Sequence, residues 1–426
     1  MLLITACNNK SKESDKTVNE PLTTANDMNS TVSESAAEVT SSNLSIETTK
    51  TIESETSMIT TTGFNENYNK KTNYIFGYEE DGFDPVGIPS DFNSGYCYHL
   101  NGGEDAFMIS KPIENRENDY FKYTLRENGF IEITGVKVFN DTVEIPNSLD
   151  GHSVAYIGKN AFANSNIKKV ILPKGILAIG EKAFENSGQL KEINFPDGLI
   201  AIAEDAFAYC KSLNSVAFPD SLQAIGERAF IECDKIKNLQ FPLELRILCR
   251  ESFKLCTAVS SVKFSDNIRA IEVDALAYTA ITEVVIPNSI YAVNPGAFSG
   301  CEKLKKVVFP NKIGDSENGF GWGMFMGCIS LEEVTIPENI IAILSDTFRD
   351  CVSLKEIRIP KSVEFISSHA FMYCKNLKDV YFESADFSII NNAFLFDIGV
   401  RIHAPKGGSV QKFCFLNPTI KFVPTD

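Results

Sequence analysis

Between Val154 and Pro424 the chain repeats itself every 23 residues, and this period limits what it can fold into more than any other feature. GEKAFENSGQLKEINFPDGLIAI, AEDAFAYCKSLNSVAFPDSLQAI and GERAFIECDKIKNLQFPLELRIL follow one another without a gap. The phenylalanine of an Ala-Phe pair marks the register at positions 162, 184, 207, 230 and 253. It passes through Leu276 and returns at 298, 325, 348, 371 and 394, giving eleven units. A unit of this size cannot bury its own apolar side chains, so the units must stack, like on like, into one continuous core.

Each unit reads as two pieces. In LKEINFP, Leu190, Ile193 and Phe195 alternate with polar residues, the period of a short strand with one buried face. Pro196 ends it, because proline brings no ladder N–H and restricts the residue before it. In LIAIAEDAFAYC, the spacing of Leu199, Ile202, Ala206, Phe207 and Cys210 predicts a short helical or 3-10 turn that buries one edge.

The pattern L-x-x-I-x-[FI]-P, then L-x-x-I and A-F-x-x-C, resembles the BspA-like class of leucine-rich repeats. The resemblance implies an α/β leucine-rich repeat fold, a right-handed open solenoid of about eleven 23-residue units spanning 151–426. Members of that class are linked to adhesion to host matrix proteins and other cells, so it also implies a non-enzymatic binding protein. Two units, at Phe162 and Leu276, are one residue short. The unit from Phe298 is four residues longer than the period, with an insert read as GDSENGFGWG that carries the only tryptophan, Trp322. An aromatic between glycines in a loop unique to one unit is a contact candidate.

Cys210, Cys233, Cys256, Cys301, Cys328, Cys351 and Cys374 each sit three residues after the marker. Stacked neighbours could in principle bond, but one cysteine per rung in equivalent buried places reads as the small-hydrophobe use of a free thiol. Ser165, Ser187 and Asp397 hold the same place in other units. No histidine or carboxylate shares the spacing of a closed zinc site, so no metal and no cofactor is expected.

Ahead of the repeat the composition changes. The opening MLLITACNNK resembles the end of a bacterial lipoprotein signal, which makes residues 1–7 its remnant and Cys7 the lipidated residue. Residues 8–69 are rich in Ser, Thr, Asn and Glu without periodicity and read as a disordered acidic tether. Residues 70–150 form a small N-terminal region, with hairpin strands around Glu127-Asn128-Gly129 and a solenoid cap in which Ile145-Pro146 is a degenerate first rung. Cys97, beside His99, is an adjacency rather than a nucleophile–base pair.

The charge of -16 excludes nucleic acid and a polybasic membrane surface. No phosphate loop, nucleophile elbow or zinc-protease helix is present, so no catalytic residue is assigned. The binding candidates are the residues between the two buried positions of successive strands: Lys263, Val285, Val308, Thr335, Arg358, Tyr381 and His403. A variable row with Arg and Tyr suits an interaction surface. The expected partner is a host or microbial surface macromolecule, a protein in the first place, met by a monomer held at the cell surface by its lipid alone. A structural protein without a specific ligand and a carbohydrate-capturing lipoprotein are the alternatives.

Overall fold

The computed structural model describes residues 110–138, 140–313 and 319–425. Cys7, the tether and most of the N-terminal region therefore lie outside the described residues.

The units contribute stretches to two rows of parallel strands, except that residues 215–217 form no strand in the first. In the first row Thr142–Glu144 pairs with Lys169–Ile171, and this with Glu192–Ile193, in the register Val143, Val170, Ile193. The same row continues through Asn238–Gln240 and Ser261–Lys263, through Glu283–Val285, Lys306–Val308 and Glu333–Val334, and ends in Glu356–Ile359, Asp379–Phe382, Arg401–Ala404 and Lys421–Pro424. The second row is built from two-residue strands, Ala178–Ile179, Ala201–Ile202 and Ala224–Ile225 among them. Alternation places Ile179, Ile202 and Ile225 in the main core and the alanines on the opposite face, where they form a separate small cluster with Tyr156. Pairing in register thus converts a 23-residue repeat into columns of identical side chains.

The piece after each second-row strand takes the form of a ribbon of β-turns, and the only α-helix among the described residues is the terminal Ser409–Leu416. Two residues per ribbon, flanking the marker at two places before and two after, adopt the left-handed conformation: Lys182 and Asn186, Asp205 and Tyr209, Arg228 and Glu232. A residue of that hand cannot continue a right-handed helix. Alternate amides then serve different ends. Those of Ala183, Glu185 and Ser187 close turns onto Gly180, Lys182 and Phe184, while those of Lys182, Phe184 and Asn186 donate to the carbonyls of Glu204, Ala206 and Ala208 in the next unit. The apolar spacing of Leu199, Ile202 and Phe207 is satisfied equally by such a ribbon, which explains why periodicity alone points to a helix.

Inside, Phe162, Phe184, Phe207, Phe230 and Phe253 stack face to face, with centroids 4.9 to 5.1 Å apart and planes within 10°. Leu276 interrupts the column, and it resumes from Phe298 to Phe394. A second, shorter column runs through Phe195, Phe218, Phe241 and Phe264. The seven cysteines of the repeat are all free and buried, and each thiol donates to the carbonyl of the marker one unit back. The Sγ–O distances run from 3.0 Å for Cys374 on Phe348 to 3.3 Å for Cys351 on Phe325. Ser187 makes the same bond to Phe162 at 2.7 Å, so the position selects a small donor.

Both ends are closed differently from the middle. Antiparallel strands Pro112–Glu117, Phe121–Arg126 and Ile131–Val136 precede His152–Ile157 in the second row, with Gly129 at φ +82 in the hairpin turn. Arg126 donates to Glu132 through Nε at 2.8 Å and Nη2 at 2.5 Å, a buried pair that neutralises both charges behind the cap. At the other end Val410, Phe413 and Cys414 of the helix cover the last rungs.

Candidate binding face

Register brings the candidate residues into one line. Gln240 lies beside Lys263, Val285 beside Val308, and Arg358 beside Tyr381 and then His403. Lys263, Val285, Thr335 and Arg358 are exposed, and Val308, Tyr381 and His403 are half-buried. Val285, at 67% exposure, is an apolar side chain standing in solvent in the middle of the row. Thr335 is partly spent on the fold, since its Oγ1 accepts the Phe309 amide at 2.9 Å.

The last three members form a unit that spacing alone does not show. The His403 ring stacks on Tyr381 with centroids 4.4 Å apart, and the Arg358 guanidinium lies 4.6 Å from the centre of the Tyr381 ring. A guanidinium over a phenol face is attracted by the ring quadrupole, and the exposed Arg358 retains donors for a partner. Asp379 holds the other side of the group. It accepts Arg401 Nε at 2.7 Å and Nη2 at 2.5 Å, and it meets His403 Nε2 at 2.7 Å. The Arg401 bonds, followed by His403, hold the Asp379 carboxyl down at about 2. The site is therefore a planar stack whose base is fixed by the contacts of Asp379 with Arg401 and His403, an arrangement suited to contact.

Trp322 is placed differently from the sequence expectation. Phe320 pairs in register with Ile343, and Ile313 occupies the place of Ile340, so the extra residues fall between Ile313 and Phe320. Trp322 consequently sits on the regular ribbon. Its carbonyl accepts the Gly296 amide at 3.0 Å, the following Gly323 amide donates to Ser345, and the side chain is 50% exposed. The flanking glycines, read from the sequence as part of a loop unique to this unit, instead supply the position after a second-row strand and a left-handed one: a Cβ on Gly321 would approach Pro295 N to 2.8 Å, and Gly323 has φ +59.

Two buried carboxyls stand outside the row, and the sequence reading assigned a role to neither. Asp397 occupies the cysteine place of the last ribbon, with both oxygens unpaired, and burial pushes it up to about 7. Glu272, also raised by burial to about 7, accepts the Arg250 amide at 2.9 Å. The sequence signal was present in Asp397, which stands where a thiol or hydroxyl donor normally fits. Among the described residues no group of three His, Cys, Asp or Glu is placed to hold a metal, and no helix is long and apolar enough to cross a membrane. A cleft of about 340 Å³ beside Tyr120, Phe121, Val138 and Leu149 has Glu144 as its one carboxylate.

The geometry of a stacked, in-register 23-residue repeat agrees with the comparisons. The profile of the BspA type leucine rich repeat region matches in six copies, over residues 132–245, 229–320 and 318–423. The chain belongs to the BspA-type leucine-rich repeat family. Among solved structures it is similar to a leucine rich cell surface protein from Faecalibacterium prausnitzii A2-165, at 21% identity and a TM-score of 0.53, over 73% of this chain and 95% of that one. A leucine-rich repeat protein from Bacteroides ovatus ATCC 8483 aligns at 22% identity with a TM-score of 0.44, over 74% of this chain and all of the other. No curated protein matches. The BspA-type repeat accounts for the period, the proline corner and the Ala-Phe marker together, and the first likeness supports the solenoid fold. Family membership makes this a leucine-rich repeat protein.

Proposed function

We propose that this chain is a cell-surface adhesin that captures a protein of host or microbial surfaces through the first strand row, with Arg358, Tyr381 and His403 as its anchor. The observation that carries this is the continuous Arg358–Tyr381–His403 stack, held rigid by Asp379 and Arg401. Rigid aromatic and arginine side chains lose little entropy on binding and dominate interface energetics elsewhere. Val285 and Val308 extend the same line with apolar area, and Lys263 and Thr335 supply its polar margin. Display would come from lipidation of Cys7, with residues 8–69 as the leash between lipid and solenoid.

The test is capture of host matrix protein by full-length chain in a pull-down. Arg358→Ala with Tyr381→Ala should lower capture at least tenfold with an unchanged melting curve, and undiminished capture would dismiss the stack as the anchor. For display, Cys7→Ser should move the protein from the membrane fraction to the soluble one.

A further inference from the structure

The apolar side chains left in solvent are not spread evenly. Of the fourteen large ones exposed among the described residues, five lie within 395–416: Leu395, Phe396, Ile398, Phe415 and Leu416. Phe415, at 86% exposure, and Ile398, at 77%, stand further into solvent than any of the others. The two stretches that carry them are joined. The Phe394 ring meets Phe413 of the terminal helix with centroids 6.3 Å apart, and the Gly399 amide donates to the Thr419 carbonyl at 3.2 Å, which sets Ile398 beside the turn that follows Leu416. Phe396 is held by stacking on Tyr373, with centroids 5.0 Å and planes 6° apart. Single exposed apolar residues are ordinary, but a cluster at one end of a fold marks a contact site.

The charge around this cluster reverses that of the chain. Residues 390–425 hold Arg401, Lys406, Lys412 and Lys421 against one acid, Asp397, which is buried. Arg401 is taken up by Asp379, while Lys412 and Lys421 stand exposed. Lys412 precedes Phe415 and Leu416 by three and four residues, the spacing that puts side chains on one side of a helix. The nearest other acid in sequence, Asp386, accepts the Ser409 amide at 2.9 Å, at the opposite end of that helix. We infer that this end of the solenoid docks on an anionic lipid bilayer, with Phe396, Ile398, Phe415 and Leu416 entering the interface and Lys412 and Lys421 meeting the headgroups.

Apolar side chains rimmed by lysine suit an anionic interface, because the lysine stems lie along the buried apolar groups while their ammonium heads stay among the phosphates. A second copy of the chain fits less well. A symmetric pair formed through this cluster would bring the same lysines together with no exposed acid of 390–425 to meet them. The net charge of -16 rules out a contact held by charge alone, so apolar burial supplies the affinity and the lysines set the orientation. The contact uses none of Arg358, Tyr381 and His403, and it does not depend on lipidation of Cys7.

The experiment is co-sedimentation of full-length chain carrying Cys7→Ser, so that no acyl chain contributes, with vesicles of phosphatidylglycerol and phosphatidylcholine in equal parts. Binding that weakens as salt is added is expected. Phe415→Ser with Leu416→Ser should lower it about tenfold or more and leave the melting curve in place, because both side chains are exposed. Lys412→Glu should weaken binding and reduce its dependence on salt. No binding to these vesicles, or undiminished binding by the double variant, would overturn the proposal. Sedimentation velocity without vesicles covers the other occupant: a dimer that the same double variant returns to monomer would overturn it in favour of a second copy. As a check independent of sedimentation, the indole introduced by Phe415→Trp, in a chain with Trp322→Phe, should shift its emission to the blue when the vesicles are added, and an unmoved spectrum would count against docking by this end.

Discussion

At the scale of single residues, the fold uses one place per unit for a small donor, and the exceptions report on it. A thiol or hydroxyl three residues after the marker donates to the carbonyl one unit back, as Cys233 does to Phe207 and Ser187 to Phe162. Asp397 breaks the rule, because an ionised carboxylate only accepts. Its folded pKa of about 7 stands above the roughly 3.9 of an unfolded aspartate, so the folded state prefers the proton. The stability tied to that proton is present below about pH 4 and is lost as pH rises through 7. Asp397→Asn should therefore match the parent at pH 4 and exceed it at pH 8, by about 4 kcal/mol at most; thermal melts at the two pH values measure this. Cys256→Ser should stay within about 1 kcal/mol, since serine fills the same role at position 187, while Cys256→Leu should cost about 1–3 kcal/mol by overpacking. Thiol titration of native protein should leave the column silent until unfolding.

At the scale of the element, the β-turn ribbon shows what was legible in the sequence and what was not. The register, the proline corner after Phe195 and the buried Phe184 and Phe207 follow directly from the 23-residue period, because stacking forces equivalent residues into equivalent places. The ribbon's hand did not, because Lys182, Arg228 and Leu255 occupy left-handed positions that usually call for Gly or Asn. Inter-unit hydrogen bonds override the local preference there. The contact of Arg358 with Tyr381 was likewise invisible, although both residues were placed in one row, since a row fixes neighbours but not how rings meet. Trp322 was misplaced because an insert's ends cannot be fixed until the strand pair Phe320 and Ile343 sets the register. Relief of strain offers a test. Leu255→Asn, at φ +61, should preserve the fold and recover up to about 1 kcal/mol of conformational strain, offset by lost packing. Gly226→Ala should do the reverse, because its Cβ would come 2.5 Å from the Glu204 nitrogen; a melting temperature lowered by several degrees is expected.

At the scale of the molecule, the phenylalanine column makes stability a property of neighbours. Phe230→Ala, in the middle of the unbroken run from Phe162 to Phe253, should cost about 3–5 kcal/mol, and denaturant titration measures it. The same cut at Phe394, with a stacked ring on one side only, should cost less and release the C-terminal rungs without melting the rest. The ribbon's main-chain hydrogen bonds carry a further consequence, because the amides two before, at and two after each marker but the last all donate the same way, to carbonyls in the following unit. Peptide dipoles in three parallel columns therefore add along the stack as they do in a helix. The column ends at the amides of Phe394 and Phe396 carry the positive pole, and the ribbon's first carbonyls carry the negative one. This side of the molecule is polarised lengthwise, so an approaching charged surface meets two unlike ends.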